Sequence, residues 1–313
     1  MSTALLFLLP IGLLAVVWSL CFVGACFPTS GLPSDTPPYS NFILGENPLA
    51  YWPLSEAPGS TTAKDLTGNG HDGTYINPPD YAATPANSRP LNPPTANLGQ
   101  GSIVPGDAGS GNKNPNPASV DFEGGYVSIP WNTTTSTSPD LPQFTLEAWI
   151  APGWSDSKFL AVVFGAASPT ATPNSNFVVF INEQNQLQVT IGNGSMLTVF
   201  PPNPTVTIDP ALPTYIAVSG DSSSGTIILF ANAQDGSAMS QTIQNTGFVG
   251  IDKTQLATFF IAAGDNTDTL RSAPKGAGAP QFPFQGQIQS VALYGTALNT
   301  NQMQEHFSNG SGG

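Results

Sequence analysis

The sequence is poor in charge, and above all in positive charge. Only 9% of its 313 residues are Asp, Glu, Lys or Arg, against about 25% in an ordinary soluble protein. Seven are basic and 20 acidic, for a net charge of -13. Such a surface repels a phosphate backbone, which excludes nucleic acid as a partner. Cysteine is almost absent. Cys21 and Cys26 both sit in an apolar N-terminal run, so the rest of the chain must be held by core burial and not by disulfides. The two histidines, His71 and His306, are far apart in sequence, and no motif supports a Ser-His-Asp triad at either. The six glutamates, at positions 46, 56, 123, 147, 183 and 305, are scattered. No Glu-x-Asp-x-x-Glu run sets carboxylates on one strand face, as the hydrolysis of a glycosidic bond requires. Long amphipathic helices are also missing.

What is present begins with Ala4 to Phe27, which carries no charge. A helix of that length spans about 36 Å, enough for a hydrocarbon core of about 30 Å. No Lys or Arg precedes it, so the basic start of a secretory signal is lacking. Three readings stand. The run is a retained membrane anchor, a cleaved signal, or a lipoprotein signal in which Val23-Gly24-Ala25-Cys26 makes Cys26 the lipidated residue. All three place the remainder outside the cell, secreted or at the cell surface. The expected division is residues 1–27 as hydrophobic segment and 28–40 as a Pro/Ser-rich linker. Residues 41–308 form one domain, and 309–313 a flexible tail.

Beyond residue 40, short apolar or alternating runs recur between clusters of Gly, Pro, Asn and Asp. Eleven are expected as strands: 51–54, 119–122, 126–129, 144–151, 159–165, 176–181, 187–191, 215–220, 226–231, 259–263 and 287–294. That spacing predicts an all-β sandwich or barrel. Phe144-Thr145-Leu146-Glu147-Ala148-Trp149-Ile150 alternates cleanly, with one face turned to a core. Asn185 and Gln186 mark a hairpin. Thr300 to Phe307 reads as a single short helix capped by Asn299 or Thr300. Polar insertions at 77–94, 105–117 and 266–280 interrupt the strands.

Five ordered blocks carry a resemblance. They are Asn47–Glu56 (NPLAYWPLSE), Asp65–Tyr75 (DLTGNGHDGTY), Val120–Val127 (VDFEGGYV), Phe144–Ile150 and Phe284–Tyr294 (FQGQIQSVALY), the last running on through Leu298 to Gln302 and His306. In this order the chain resembles laminin G-like domains of the concanavalin A-like lectin/glucanase superfamily. The resemblance implies a two-sheet antiparallel jelly roll with its first and last strands side by side, and binding or adhesion far more often than catalysis. It also motivates calcium (Ca2+) near the turn at Asp65, although Gln289 and Ser290 stand where the family tends to carry an acidic pair.

The residues themselves allow that metal. Asp65, Asn69 and Asp72 offer oxygens in a glycine-rich turn, and hard Ca2+ takes six to eight oxygens. The competing reading is that these side chains only cap the turn. Gly68-Asn69-Gly70-His71-Asp72-Gly73 matches the dinucleotide fingerprint, but Thr74-Tyr75-Ile76 and two prolines follow, so no helix opens to hold pyrophosphate. Trp131, Trp154 and Tyr81 lie in loop-like contexts and are candidates for stacking on a sugar ring, or alternatively lids over the sandwich edge. Three functions follow. The first is a non-catalytic surface module that binds a glycan or other extracellular polymer. The second is a self-assembling structural subunit of a surface layer, filament or viral particle. The third is a glycoside hydrolase, which the absent carboxylate pair disfavours.

Overall fold

A computed structural model describes residues 38–77, 95–108, 118–131, 140–154, 160–167, 177–192, 197–251, 258–264 and 282–312. The N-terminal run with Cys26, most of the three insertions, and Tyr81 lie outside these residues.

Two antiparallel sheets pack face to face as a jelly-roll sandwich. In chain order the strands are β1 (Ala50–Trp52), β2 (Thr62–Ala63), β3 (Gly73–Ile76), β4 (Thr95–Gly101), β5 (Ala118–Glu123), β6 (Tyr126–Pro130), β7 (Gln143–Pro152) and β8 (Ala161–Ala167). They continue as β9 (Phe177–Ile181), β10 (Leu187–Gly192), β11 (Leu197–Phe200), β12 (Thr214–Asp221), β13 (Thr226–Ala233), β14 (Ala238–Ile243), β15 (Thr258–Ile261) and β16 (Gln285–Tyr294). Helices are α1 (Pro38–Gly45), α2 (Pro105–Ala108) and α3 (Thr300–Ser311). The first sheet runs β14-β13-β12-β7-β16-β5-β4, with β1 also paired to β16. The second runs β11-β10-β9-β8-β15-β6-β3-β2.

Alternation along the strands builds the core. From β7, Phe144, Leu146, Ala148 and Ile150 enter the space between the sheets, while Trp149 joins a second apolar cluster on the far side. Leu187, Val189 and Ile191 of β10 do the same from the opposite sheet. The turns carry the residues their geometry needs. Asp221 accepts from the Ser223 amide at 2.8 Å between β12 and β13, and Asp235 accepts from the Ser237 amide at 2.9 Å between β13 and β14. These are Asx turns, in which a short side chain stands in for a backbone acceptor. Gly286 (φ +124°) opens β16 beside β7, and a Cβ there would lie 2.3 Å from the Ala151 carbonyl oxygen, so only glycine fits.

All eleven expected strands are present, within a few residues at their ends. Five were not foreseen. β2 has two residues, and β4 (TANLGQG) and β14 (AMSQTI) are too polar or glycine-rich to announce themselves. β3 and β11 have four residues each. These strands exist because a neighbour supplies their hydrogen bonds.

α3 has the capping expected at Asn299, whose side chain accepts from the Asn301 and Gln302 amides, and Gln302 returns a bond to the Asn299 amide. It runs on to Ser311 with Gly312 in the left-handed C-cap, so residues 309–311, expected as tail, form its last turn. Met303, His306, Phe307 and Gly310 are buried at helical spacing. α1 is a correction to the expected linker. Pro38 occupies the first helical position, which suits it, and Tyr39, Ser40 and Ile43 are buried. Eight residues are too few for an isolated helix. Packing of Tyr39 and Ile43 into the outer cluster of the first sheet holds it in place.

Candidate functional site

The outer face of the second sheet carries a groove of about 300 Å3, built at the hairpin that Asn185 and Gln186 marked. Asn185 turns the chain with φ +57°, a conformation that asparagine tolerates. Beyond it, Gln188 points away from the core because its neighbours Leu187 and Val189 point into it. Asn182 organises the site. Its Oδ1 accepts from the Gln184 and Gln186 amides, both at 2.9 Å. Its Nδ2 donates to Gln186 Oε1 at 3.1 Å and Gln188 Oε1 at 2.9 Å. Gln186 Nε2 then donates to the Pro204 carbonyl at 3.0 Å, and Gln188 Nε2 to the Pro201 carbonyl at 2.9 Å.

Both glutamine side chains are therefore fixed at each end. An amide oxygen has two lone pairs and an NH2 group two hydrogens, so each keeps one acceptor and one donor position beyond these bonds. Apolar surface completes the groove. Leu160 and Phe180 are buried, while Val199, Pro202 and Pro204 form its side. The described lining contains no carboxylate, cation or thiol. It offers hydrogen bonds and apolar contact, and no group for acid, base or nucleophilic work.

Trp154 belongs to this site from beneath. It is 6% exposed, its ring packs edge-on against Phe284 at 5.2 Å, and Nε1 donates to Asn185 Oδ1 at 3.0 Å. Its faces are not open to a sugar. It braces the turn that presents the amides. Trp131 is also corrected. It is fully buried, stacked on the His71 imidazole at 3.9 Å and edge-on to Phe259 at 4.5 Å.

The Asp65 turn is a knot of internal bonds. Asp65 Oδ1 accepts from the Tyr51 amide (3.1 Å), the Thr67 amide (3.0 Å) and the Thr67 hydroxyl (2.7 Å), and Oδ2 accepts from the His71 amide (3.1 Å). Those donors take up lone pairs that a cation would need. Asp72 turns inward to the Asp65 amide at 2.9 Å and outward to Lys64. Asn69 donates its Nδ2 to the Leu49 carbonyl at 2.9 Å. Among the described residues, no group of three or more His, Cys, Asp or Glu side chains is arranged to hold a metal. The structure thus pins the turn to β1 through Asp65, with Trp52 Nε1 donating to the His71 carbonyl at 2.7 Å. Burial lowers the pKa of His71, partly countered by the Asp65 charge.

At the bulge in β16, Gln289 and Ser290 have structural partners. Gln289 Oε1 accepts from the Ser102 hydroxyl (3.0 Å) and the amides of Ile103 (2.8 Å) and Val104 (3.3 Å). Ser290 has φ +55° and its hydroxyl accepts from Tyr51 at 3.2 Å.

One polar cluster was not foreseen. Glu147, 1% exposed, accepts from the hydroxyls of Tyr215 (2.6 Å) and Tyr294 (3.2 Å) and pairs with His306 Nδ1 at 2.8 Å. Burial disfavours the imidazolium, but the hydrogen bond and charge of Glu147 together outweigh it and raise the His306 pKa. The only sign in the sequence was a glutamate inside an otherwise apolar strand. A larger depression of about 610 Å3 lies beside Tyr75, Asn97 and Asp121. It opens where the described chain breaks between Asn77 and Thr95, so described residues bound it only in part.

No protein-family model matches the sequence, and no curated protein sequence matches it. Among solved structures, the CBM40 of the Ruminococcus gnavus IT-sialidase, bound to α2,3-sialyllactose, aligns at TM-score 0.41 and 15% identity, over 52% of this chain and 81% of that one. A leech intramolecular trans-sialidase aligns at TM-score 0.41 and 16% identity, over 54% of this chain and 23% of that one. The binding domain of botulinum neurotoxin serotype D/C reaches TM-score 0.48 at 10% identity, over 85% of this chain and 53% of that one. At these scores the likenesses decide neither ligand nor chemistry, and the case for function rests on the chain's own residues.

Proposed function

We propose that this chain is a non-catalytic, laminin G-like surface module that binds a neutral glycan in the groove between β9, β10 and β11. The observation that carries the reading is the amide network itself. Asn182 holds Gln186 and Gln188 in fixed orientations above an apolar floor. Sugars present hydroxyls that both donate and accept beside apolar C–H faces, and fixed amides with a spare position of each kind match them. An uncharged lining in a strongly acidic chain disfavours anionic sugars. The laminin G-like reading has a separate support. Four of the five sequence blocks supply β1, β5, β7 and β16, which neighbour one another in the first sheet.

The N-terminal hydrophobic run supports attachment to, or secretion across, a membrane, with the module outside the cell. Calcium enters the proposal as a condition to vary. A glycan array probed with and without Ca2+, followed by calorimetry on hits, tests the reading. Neutral oligosaccharides should bind, and Gln188→Ala should weaken them at least tenfold. An array blank in both conditions, or binding indifferent to Gln188, overturns it. Binding that vanishes on chelation would return the metal to the Asp65 turn.

A further inference from the structure

We infer that β14 is the pairing edge of a symmetric dimer, through which two copies of this chain join their first sheets into one continuous sheet. A sandwich of open sheets has four edge strands, and exposed edges pair with other chains unless something prevents it. Three of the four terminal edges here are blunted, and β1, paired only to β16, has its free side closed by the Asp65 carboxylate on the Tyr51 amide and the Leu66 amide on the Tyr51 carbonyl. β2 has only two residues. β4 is broken by a register shift between Leu98 and Gln100, with Gly99 at φ +77°. β11 has four residues and runs straight into Pro201 and Pro202.

β14 has none of these devices. Its six residues, Ala-Met-Ser-Gln-Thr-Ile, pair with β13 in unbroken register from Ala238 to Ile243. They include no charge, proline or glycine, in a chain otherwise rich in the last two. No described residue hydrogen-bonds the strand's outer backbone edge. Met239 is exposed beside it.

Charge selects the occupant. The nearest ionisable group along the strand is Asp235, in the preceding turn and tied to Ser237. A second copy laid antiparallel about a dyad through Gln241 sets Asp235 against Gly247, Met239 against Ile243 and Ser240 against Thr242. No like charges meet, whereas parallel pairing in register would oppose the two Asp235 carboxylates. An isologous antiparallel pair is therefore the self-complementary solution.

The dimer has a consequence for the groove, and this part alone rests on the glycan reading. Gln241 of β14 accepts from the Thr205 amide at 2.8 Å and donates to the Asn203 carbonyl at 3.0 Å. Those residues belong to the segment whose Pro202 and Pro204 line the groove. Pairing through β14 thus puts two grooves close to one dyad, and two weak sites on one particle hold a repetitive polymer far more tightly than one.

Sedimentation equilibrium of the full chain in mild detergent, without glycan, tests the dimer. A six-residue edge is a small interface, so a dissociation constant on the order of tens of micromolar is expected. Ser240→Lys combined with Thr242→Lys should weaken association at least tenfold while leaving the thermal midpoint and the glycan affinity of the single site unchanged. Hydrogen exchange on the unmodified chain supplies a reading that needs no variant: β14 amides should become protected as concentration rises. A protein that stays monomeric to about 300 µM, well above that expected constant, or association unaffected by the lysines, overturns the proposal. A dimer that binds no glycan retains the pairing edge and removes only the bivalent consequence.

Discussion

The outer faces of the two sheets meet water in opposite ways. On the first sheet, β7, β12 and β16 turn Trp149, Tyr215 and Tyr294 outward, and α1, α3 and the Ile103-Val104 segment cover them. Phe307 stacks on Trp149 at 5.6 Å, and Phe42 meets His306 edge-on at 5.1 Å. Glu147 accepts from Tyr215 and Tyr294 and pairs with His306 beneath the helices. On the second sheet the outward residues around the β9–β10 hairpin are the amides Asn182, Gln186 and Gln188 beside a small apolar cluster of Leu160, Val162, Val178, Phe180 and Phe282, and no described helix covers them. Large aromatic side chains demand a lid because leaving them in water is costly. Amides can stay at the surface if their orientation is fixed by neighbours. Among the described residues, one face is sealed by helices and the other keeps oriented amides at its surface.

The sharpest way to break this contrast is Glu147→Ala. It strands the imidazole and two hydroxyls inside the covered face, and should cost about 3–5 kcal/mol in chemical denaturation. A loss below about 1 kcal/mol would mean that this face is not sealed. Asp65→Ala removes an acceptor of four bonds at the β1 turn and should cost about 3 kcal/mol by the same measurement. Gly310→Val should cost about 2 kcal/mol, because a Cβ there already lies 2.8 Å from the Trp149 ring.

The two histidines should give the stability curve opposite limbs. His306 has a raised folded pKa, so its contribution is complete below the ordinary value of about 6.5 and is lost as pH rises through the raised one. His71 has a lowered folded pKa, so stability is lost as pH falls below that ordinary value and the unfolded chain takes up the proton first. Thermal midpoints across pH should show His306→Gln flattening the alkaline limb and His71→Gln the acid limb. The smallest stability effect is expected in the groove. Gln188→Ala should change stability by about 1 kcal/mol or less, and on the proposed glycan reading it should weaken neutral oligosaccharides at least tenfold.

Much of the architecture was legible because it is written in local signals. Strict alternation at residues 144–150, turn residues between the runs, and a helix cap at Asn299 or Thr300 each depend on a few adjacent residues. The misses share a cause. β14 and β4 have little strand propensity of their own, and α1 is too short to stand alone, so their existence depends on partners distant in sequence. Tryptophans misled for the same reason. A loop-like context around Trp131 and Trp154 says nothing about what packs against the ring, and both proved to be interior.

What the sequence alone determined is the alternation that makes two sheets, the poverty of positive charge, and the lack of a Glu-x-Asp-x-x-Glu run, Asp121 and Glu123 of β5 being a bare i, i+2 pair. Only the tertiary structure decided where each polar group finds its partner. Asp65 closes on the amides of Tyr51, Thr67 and His71, and Glu147 meets a histidine 159 residues away. Asn182 aligns two glutamines from the next strand's approach. A hydrogen bond depends on position to within a few tenths of an ångström, and only the packing of both sheets sets positions that closely.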